Sequence, residues 1–352
     1  MTITRAGLIL AVTLALAADA TAQVSLTPPP ATAPESSPAE PAKPTAKPKA
    51  RPIPAAKKPV PTPASPADAS TADDPNLDLV YGAFQRGFYK TAFDLAVKRA
   101  QETGDPKAMT MLGELYANAF GVPRDDAKAA DWYRRAADAG DREAMFELAM
   151  LRLAGRGGPT NREEAAKLLA SSAKLGNPNA AYNLALIYLG GEILPQDLRR
   201  AAELMRIAAD AGSPEAQYAL ATFYKEGTGV PKDAEKATRL LQAASIGGNI
   251  EAEVEYAIAL FNGTGTPKNE AAAIALLSKA ARQNNPVAQN RLARVLASGK
   301  GVPADKVEAL KWHIIAKTAG KGDPELDKAL STMSPEDQAK ADAAARRWFG
   351  TK

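Results

Sequence analysis

Residues 216–251 read AQYALATFYKEGTGVPKDAEKATRLLQAASIGGNIE, and shifting this stretch by 36 residues in either direction reproduces its pattern. The alanine that opens the stretch recurs in six units, and so does the proline at its sixteenth position. These two sets are Ala108, Ala144, Ala180, Ala216, Ala252 and Ala288, and Pro123, Pro159, Pro195, Pro231, Pro267 and Pro303. A fixed period of this length is typical of solenoids built from stacked helical units. It predicts an all-α fold and favours binding over chemistry.

Each unit carries the signals of two helices and of the loop between them. A capping residue followed by proline, as in Ser213-Pro214, predicts the start of the first helix. The Gly-x-Gly of residues 227–229 supplies left-handed backbone for the loop. The caps predicted for the second helices are Asp125, Asn161, Asp197, Asp233, Asn269 and Asp305. Glu164 and Glu308, each three residues after a cap, predict two capping boxes.

The predicted architecture is a right-handed superhelical solenoid of about six 36-residue helix-turn-helix units with capping helices, covering residues 77–352. Its parts are a degenerate leading repeat at 77–107, repeats at 108–143, 144–179, 180–215, 216–251, 252–287 and 288–325, and a C-terminal cap at 326–352. Ser334 begins the last helix of the cap. Trp348 and Phe349 are predicted to cover the final repeat, since the end of a solenoid has to be shielded from water.

Two patterns point to a family. They are Leu220-Ala221-x-x-Tyr224-x-x-Gly227-x-Gly229-Val230-Pro231-x-Asp233 and Trp132-Tyr133-x-x-Ala136-Ala137-x-x-Gly140. Together they resemble the Sel-one-like repeat, a branch of the tetratricopeptide-like helical repeats, and the resemblance covers about residues 77–349. The chain departs from this pattern at Arg152, which occupies a tyrosine position, and at Tyr256. It departs again at residues 190–194, where GGEIL stands in place of Gly-x-Gly-Val.

The first 22 residues have the features of a signal peptide. Arg5 is followed by an apolar run over residues 6–18, and Ala20-Thr21-Ala22 fits the small-x-small cleavage pattern. We therefore predict export with cleavage after Ala22. The alternative is an uncleaved membrane anchor, but the apolar run is shorter than the ~20 residues that a spanning helix needs.

Residues 23–76 form a linker of very different composition. They contain 15 of the 27 prolines, mixed with Ala, Thr, Ser and five lysines. Such a segment cannot bury apolar surface, so it is predicted to be disordered with a bias to extended polyproline structure. The simpler interpretation is a passive linker. A spacer whose lysines associate weakly with the cell wall is the alternative.

The composition excludes several kinds of site. The chain has no cysteine, so disulfides, thiolate zinc sites, cysteine nucleophiles and a lipoprotein anchor are excluded. His313 is the single histidine and is interpreted as a packed side chain. The net charge of +4 is too small for a polycationic footprint on nucleic acid. We predict no catalytic residue, cofactor or metal.

The candidate binding residues occupy the third, seventh and tenth positions of each first helix, opposite the face predicted to pack into the core. There they are predicted to line the inner side of the superhelix, where a mostly apolar stripe suits a helix or strand of a partner. They are Phe146, Met150, Leu153, Tyr182, Leu186, Leu189, Tyr218, Thr222, Lys225, Val254, Ile258 and Phe261. Core packing in the seam between neighbouring first helices is the alternative role for the same side chains.

The family resemblance implies a protein that holds other proteins together, and in bacteria many members are exported regulators or scaffolds. We therefore expect a non-enzymatic protein-binding scaffold or regulator in the periplasm of a Gram-negative bacterium. By analogy it modulates envelope signalling or polysaccharide production through a protein partner such as an inner-membrane sensor. Two alternatives stay open: a peptidoglycan-associated protein or cell-wall hydrolase-like enzyme, and a secreted virulence factor that binds host proteins.

Overall fold

A computed structural model describes residues 78–350, which contain sixteen α-helices and no strand. The helices are α1 (Leu79–Gln85), α2 (Tyr89–Thr103), α3 (Pro106–Ala117), α4 (Asp126–Asp138), α5 (Arg142–Ala154), α6 (Arg162–Lys174), α7 (Pro178–Gly190), α8 (Leu198–Asp210), α9 (Pro214–Glu226), α10 (Ala234–Ile246), α11 (Ile250–Asn262), α12 (Glu270–Arg282), α13 (Pro286–Ser298), α14 (Lys306–Thr318), α15 (Pro324–Leu330) and α16 (Pro335–Gly350). None of these helices combines the length and the apolar character of a membrane span. The predicted signal peptide, its cleavage after Ala22 and the linker at 23–76 lie outside the described residues.

The helices begin where the capping residues predict. The side chain of Asp233 accepts a 2.9 Å hydrogen bond from the backbone N–H of Lys236, and the other five predicted caps do the same for their own second helices. The predicted capping boxes are wrong. The backbone N–H of Asn161 donates to the carbonyl of Arg152 at 3.1 Å, so the Glu164 carboxylate pairs with the Arg152 guanidinium instead. The second box does not form either, because the backbone N–H of Asp305 donates to the carbonyl of Leu296 at 3.0 Å. The Glu308 carboxylate accepts a 2.7 Å hydrogen bond from Lys311 instead.

Loop glycines set how closely successive repeats approach. Gly229 has a φ of 66°, and a Cβ there would overlap the carbonyl oxygen of Leu198, at the start of the preceding second helix. Gly265 and Ala234 stand in the same relation one repeat later. Each of these loops therefore rests on the N-terminus of the preceding second helix. The third repeat has Ile193 at this position without a positive φ, so its loop follows a different path, as the departure at residues 190–194 indicates.

Small side chains allow the helices of a repeat to pack closely. The ring of Tyr133 covers Gly113 so tightly that a Cβ there would stand 2.5 Å from a ring carbon. The corresponding alanines of the other first helices are buried: Ala149, Ala185, Ala221, Ala257 and Ala293. So are the alanines of the second helices: Ala129, Ala165, Ala201, Ala237, Ala273 and Ala309. Alanine keeps the helices close and removes little side-chain entropy on folding.

The C-terminal helices cover the last repeat. Trp348 of α16 packs edge-to-face on Trp312 of α14 with ring centroids 5.1 Å apart. The predicted covering role of Phe349 is wrong, since its side chain remains 46% exposed. His313 is buried, and its Nε2 atom lies 2.8 Å from an Asp327 carboxylate oxygen of α15. The histidine is thus a packed side chain that joins α14 to the cap.

Candidate protein-binding face

The twelve predicted contact residues lie on α5, α7, α9 and α11, the first helices of four consecutive repeats. Ten of them are half-buried and Lys225 is exposed, but Val254 is 3% exposed and belongs to the core. Because Val254 offers no surface to a partner, we define the first-helix face by the other eleven. These are Phe146, Met150, Leu153, Tyr182, Leu186, Leu189, Tyr218, Thr222, Lys225, Ile258 and Phe261.

The apolar members of the first-helix face contact the core on one side and solvent on the other. Phe146, Tyr182 and Leu186 pack against the core cluster that contains Leu184, and Ile258 packs against the cluster that contains Leu277. Half-burial leaves another part of each side chain in contact with solvent. A partner that covered these atoms would remove further apolar area from water, next to side-chain atoms that are already buried in the core.

The seam between the fourth and fifth repeats is organised around Glu255. Its carboxylate accepts a 2.8 Å hydrogen bond from the Lys225 ammonium group, and its negative charge acts on the Tyr218 phenol. Burial, followed by the negative charges of Glu255, Glu251 and Glu226, raises the pKa of Tyr218 to about 12. The phenol therefore remains a neutral hydrogen-bond donor at physiological pH.

Tyrosine in the preceding repeat has a related environment. Burial raises the pKa of Tyr182, and the nearby Glu215 carboxylate adds to the effect. The hydroxyl of Thr222 donates to the backbone carbonyl of Tyr218 at 3.2 Å. The proton of that hydroxyl is therefore engaged within its own helix.

In the end repeats, polar residues at the equivalent positions serve the fold. The Thr110 hydroxyl donates to the Asp141 carboxylate, which caps α5, at 3.0 Å. At the other end Asn290 and Arg294 donate to Asp323, which caps α15, at 3.3 and 2.5 Å. The third and seventh positions thus point toward the start of the next helix in the stack. This seam role was the alternative left open by the sequence.

The structure adds a set of carboxylates that the three-position pattern missed. On the same first helices, exposed or half-exposed glutamates lie beside the apolar stripe. They are Glu143, Glu147, Glu215, Glu226, Glu251 and Glu255. On each helix the two glutamates are four or eleven residues apart, spacings that return to one side of a helix, so a wider helical projection would have found them. Among residues 78–350, no group of three or more His, Asp or Glu side chains is arranged to hold a metal ion.

Comparison with known proteins agrees with the repeat pattern. The Sel1 repeat matches six consecutive segments, at residues 106–141, 142–177, 178–213, 214–249, 250–285 and 286–321. The chain belongs to the Sel1 repeat family. This is the Sel-one-like repeat that the sequence patterns resemble, and no match was found among curated proteins.

Two solved Sel1-type structures are similar to this chain. A Sel1 repeat protein from Oxalobacter formigenes is 26% identical with a TM-score of 0.58, over 68% of this chain and 98% of its own. The protein c5321, a protective antigen of uropathogenic Escherichia coli with the same repeat fold, is 26% identical with a TM-score of 0.54. That match covers 74% of this chain and 64% of the antigen. Sel1 repeats indicate a protein-interaction scaffold, and proteins of this family are typically non-catalytic.

The second Sel1 repeat has an ion pair where other repeats have a cation–π contact. In the first and fourth repeats a lysine lies over a tyrosine ring: Lys128 over Tyr116 and Lys236 over Tyr224, each 5.3 Å from the centroid. In the second repeat Arg152 and Glu164 occupy these two positions, with Nε and Oε2 3.1 Å apart. Arg152 is 7% exposed and its Nη1 atom is buried without a partner. This site is structural, because it lies between the two helices of one repeat.

Proposed function

We propose that this Sel1 repeat protein is an exported scaffold or regulator that holds a protein partner on its first-helix face, within the periplasm. The observation that carries the proposal is the row of half-exposed apolar and aromatic side chains on four consecutive first helices. Contiguous apolar surface of this kind is typical of sites where a partner helix or strand docks. The proposed partner is an envelope protein such as an inner-membrane sensor.

Export is supported by residues 1–22, which fit a cleavable signal peptide. The Pro-rich residues 23–76 would then be the N-terminal linker of the mature chain, ahead of the repeats. Fractionation of the native bacterium tests the location. We expect the mature chain, beginning at Gln23, in the periplasmic fraction, and full-length chain in the cytoplasm would contradict export.

Crosslinking and pull-down of the exported full chain from native cells tests the binding face. The double variant Met150→Glu, Leu186→Glu places two charges on it. The matched control is Leu175→Glu, Ile207→Glu, which makes the same kind of change at exposed apolar residues at the ends of second helices. Circular dichroism and the melting temperature establish that each variant is folded.

We expect one envelope protein to be recovered with the wild-type chain and with the control, and to be lost with the face variant. Equal recovery with both variants would overturn the proposed face. Binding to purified cell-wall sacculi without any protein partner would overturn the scaffold proposal in favour of a peptidoglycan-associated protein.

A further inference from the structure

The first-helix face has an excess of negative charge. Alongside its apolar stripe lie the six carboxylates of α5, α9 and α11, whereas the cations of these helices are largely engaged. Lys225 pairs with Glu255, and Arg152 is buried against Glu164. Arg142 pairs with Glu143 and also donates to the carbonyl of Leu175 at the end of α6.

The charge is concentrated between the fourth and fifth repeats. Glu226 follows Lys225 at the end of α9, and Glu251 and Glu255 lie four residues apart on α11, which the 2.8 Å bond between Lys225 and Glu255 joins to α9. Lys225 neutralises one of the three, and neither Glu226 nor Glu251 forms an ion pair among residues 78–350. This neighbourhood therefore combines an aromatic ring, aliphatic surface from Ile258 and uncompensated carboxylates.

Such a surface selects its partner by charge as well as by apolar contact. Ammonium and guanidinium groups are attracted both to carboxylates and to the faces of aromatic rings. Acidic segments and nucleic-acid phosphates are repelled by the same carboxylates. Because the apolar stripe and the carboxylates lie side by side, a complementary segment needs apolar residues on one side and cations on the adjoining side.

We infer that the first-helix face takes a cationic amphipathic segment of a partner protein, with its apolar side chains on the stripe from Phe146 to Ile258 and its Lys or Arg residues against Glu226, Glu251 and Glu255. This inference rests on the proposed function, since it names the chemistry of the partner for the same face. The complementary charges set the orientation and the rate of association more than the maximum affinity.

Fluorescence anisotropy of the full mature chain with two labelled synthetic peptides tests the inference. The first is a 20-residue amphipathic helix of Leu and Lys, and the second has Glu at every Lys position. The face variant is Glu226→Lys, Glu251→Lys. The control is Asp210→Lys, Glu163→Lys, which also changes the last residue of one helix and the first turn of another, but on second helices.

We expect the Leu–Lys peptide to bind the wild-type chain at least tenfold more tightly than the Leu–Glu peptide, with an advantage that shrinks at high salt. The face variant should lose most of this preference, and the control should stay within about twofold of wild type. Equal effects of the two variants, or equal binding of the two peptides, would overturn the inference.

The apolar variant Met150→Glu, Leu186→Glu separates this inference from the proposed function. If that variant loses the native partner while the charge-reversal variant keeps it, the face binds a partner but its carboxylates do not select it. If neither variant affects recovery of the partner, the face itself is not the binding site.

Discussion

The Nη1 atom of Arg152 lies 2.9 Å from the point that a Cβ on Gly158 would occupy. In the first, fourth and sixth repeats, the position of Gly158 holds valine. Arg152 itself takes the place of a tyrosine. The guanidinium thus fills volume that a valine side chain takes in other repeats, so the two departures from the repeat pattern compensate each other. A close-packed interior accepts such paired changes more readily than either change alone.

Gly158→Val should destabilise the repeat domain by about 2–3 kcal/mol, because the new side chain meets a buried guanidinium and Gly158 has a φ of 154°. Adding Arg152→Tyr restores the pair found in the fourth repeat and should recover more than half of that loss. Urea unfolding of both single variants and the double variant measures the coupling. Simple addition of the two single effects would show that the residues do not compensate.

Glu253→Gln should stabilise the protein. The side-chain amides of Gln217 and Gln289, at the same position of neighbouring repeats, donate to the carbonyls of Ala209 and Ala281 at 3.2 and 3.1 Å. Glu253 is 2% exposed, and one of its carboxylate oxygens is buried without a partner.

An amide at residue 253 can donate to the equivalent carbonyl, so we expect a gain of about 1 kcal/mol. Lys279 pairs with Glu253 in the wild type, but its side chain is exposed, so water can solvate the ammonium group once the carboxylate is gone. The reverse change, Gln289→Glu, should lower the free energy of unfolding. A loss of stability in Glu253→Gln would mean that the ion pair with Lys279 contributes more than the hydrogen bond.

The phenol of Tyr218 should ionise well above pH 10. Its pKa of about 12 means that the folded state holds the phenolic proton more tightly than the unfolded chain, in which tyrosine has its ordinary pKa of 10.0. The stabilisation from the neutral phenol is therefore complete below pH 10 and is lost as the pH rises toward 12. Difference absorbance at 295 nm between wild type and Tyr218→Phe isolates this transition. Glu255→Gln should shift it to lower pH, and an unchanged midpoint would contradict the role of that carboxylate.

The Asp126–Arg156 pair should make stability depend on acid pH. Two hydrogen bonds of 2.7 and 3.1 Å join this carboxylate of α4 to a guanidinium in the loop of the next repeat, and with Arg124 they hold the pKa of Asp126 well below its usual value of 3.8. The pair therefore stabilises the fold above about pH 4 and its contribution is lost as the pH falls below that.

Asp126→Asn should cost about 1 kcal/mol at pH 7, and the difference from wild type should shrink toward pH 3. The control is Asp131→Asn, which removes an exposed carboxylate that pairs within α4 alone. A cost for Asp126→Asn that does not change with pH would show that the carboxylate acts through packing and not through its charge.

The parts of the fold that could be predicted from sequence depend on local physics. Asp233 caps its helix and Gly229 adopts a left-handed backbone because their own neighbours in sequence require it. The candidate face depends on the stacking of repeats, which a single-helix projection omits. Val254 therefore lies in the core, and Glu255 binds Lys225 of the preceding first helix, a contact that no pattern within its own repeat indicates. The arginine at residue 152 depends on the missing side chain of Gly158, and this pairing of two departures is seen only when the loop and the helix are placed together.

Two glycines of the unit at residues 216–251 separate backbone strain from close approach. Gly229 and Gly248 both have positive φ, at 66° and 92°, so alanine at either position pays a conformational cost of about 1–2 kcal/mol. A Cβ at Gly248 would meet no atom within 4 Å, whereas one at Gly229 would overlap the carbonyl of Leu198. Because that carbonyl belongs to the backbone of the preceding repeat, Gly229→Ala should cost about 1–3 kcal/mol more than Gly248→Ala. Urea unfolding of the two variants makes the comparison, and equal costs would show that strain alone selects glycine in the loop and that the repeats are free to move apart.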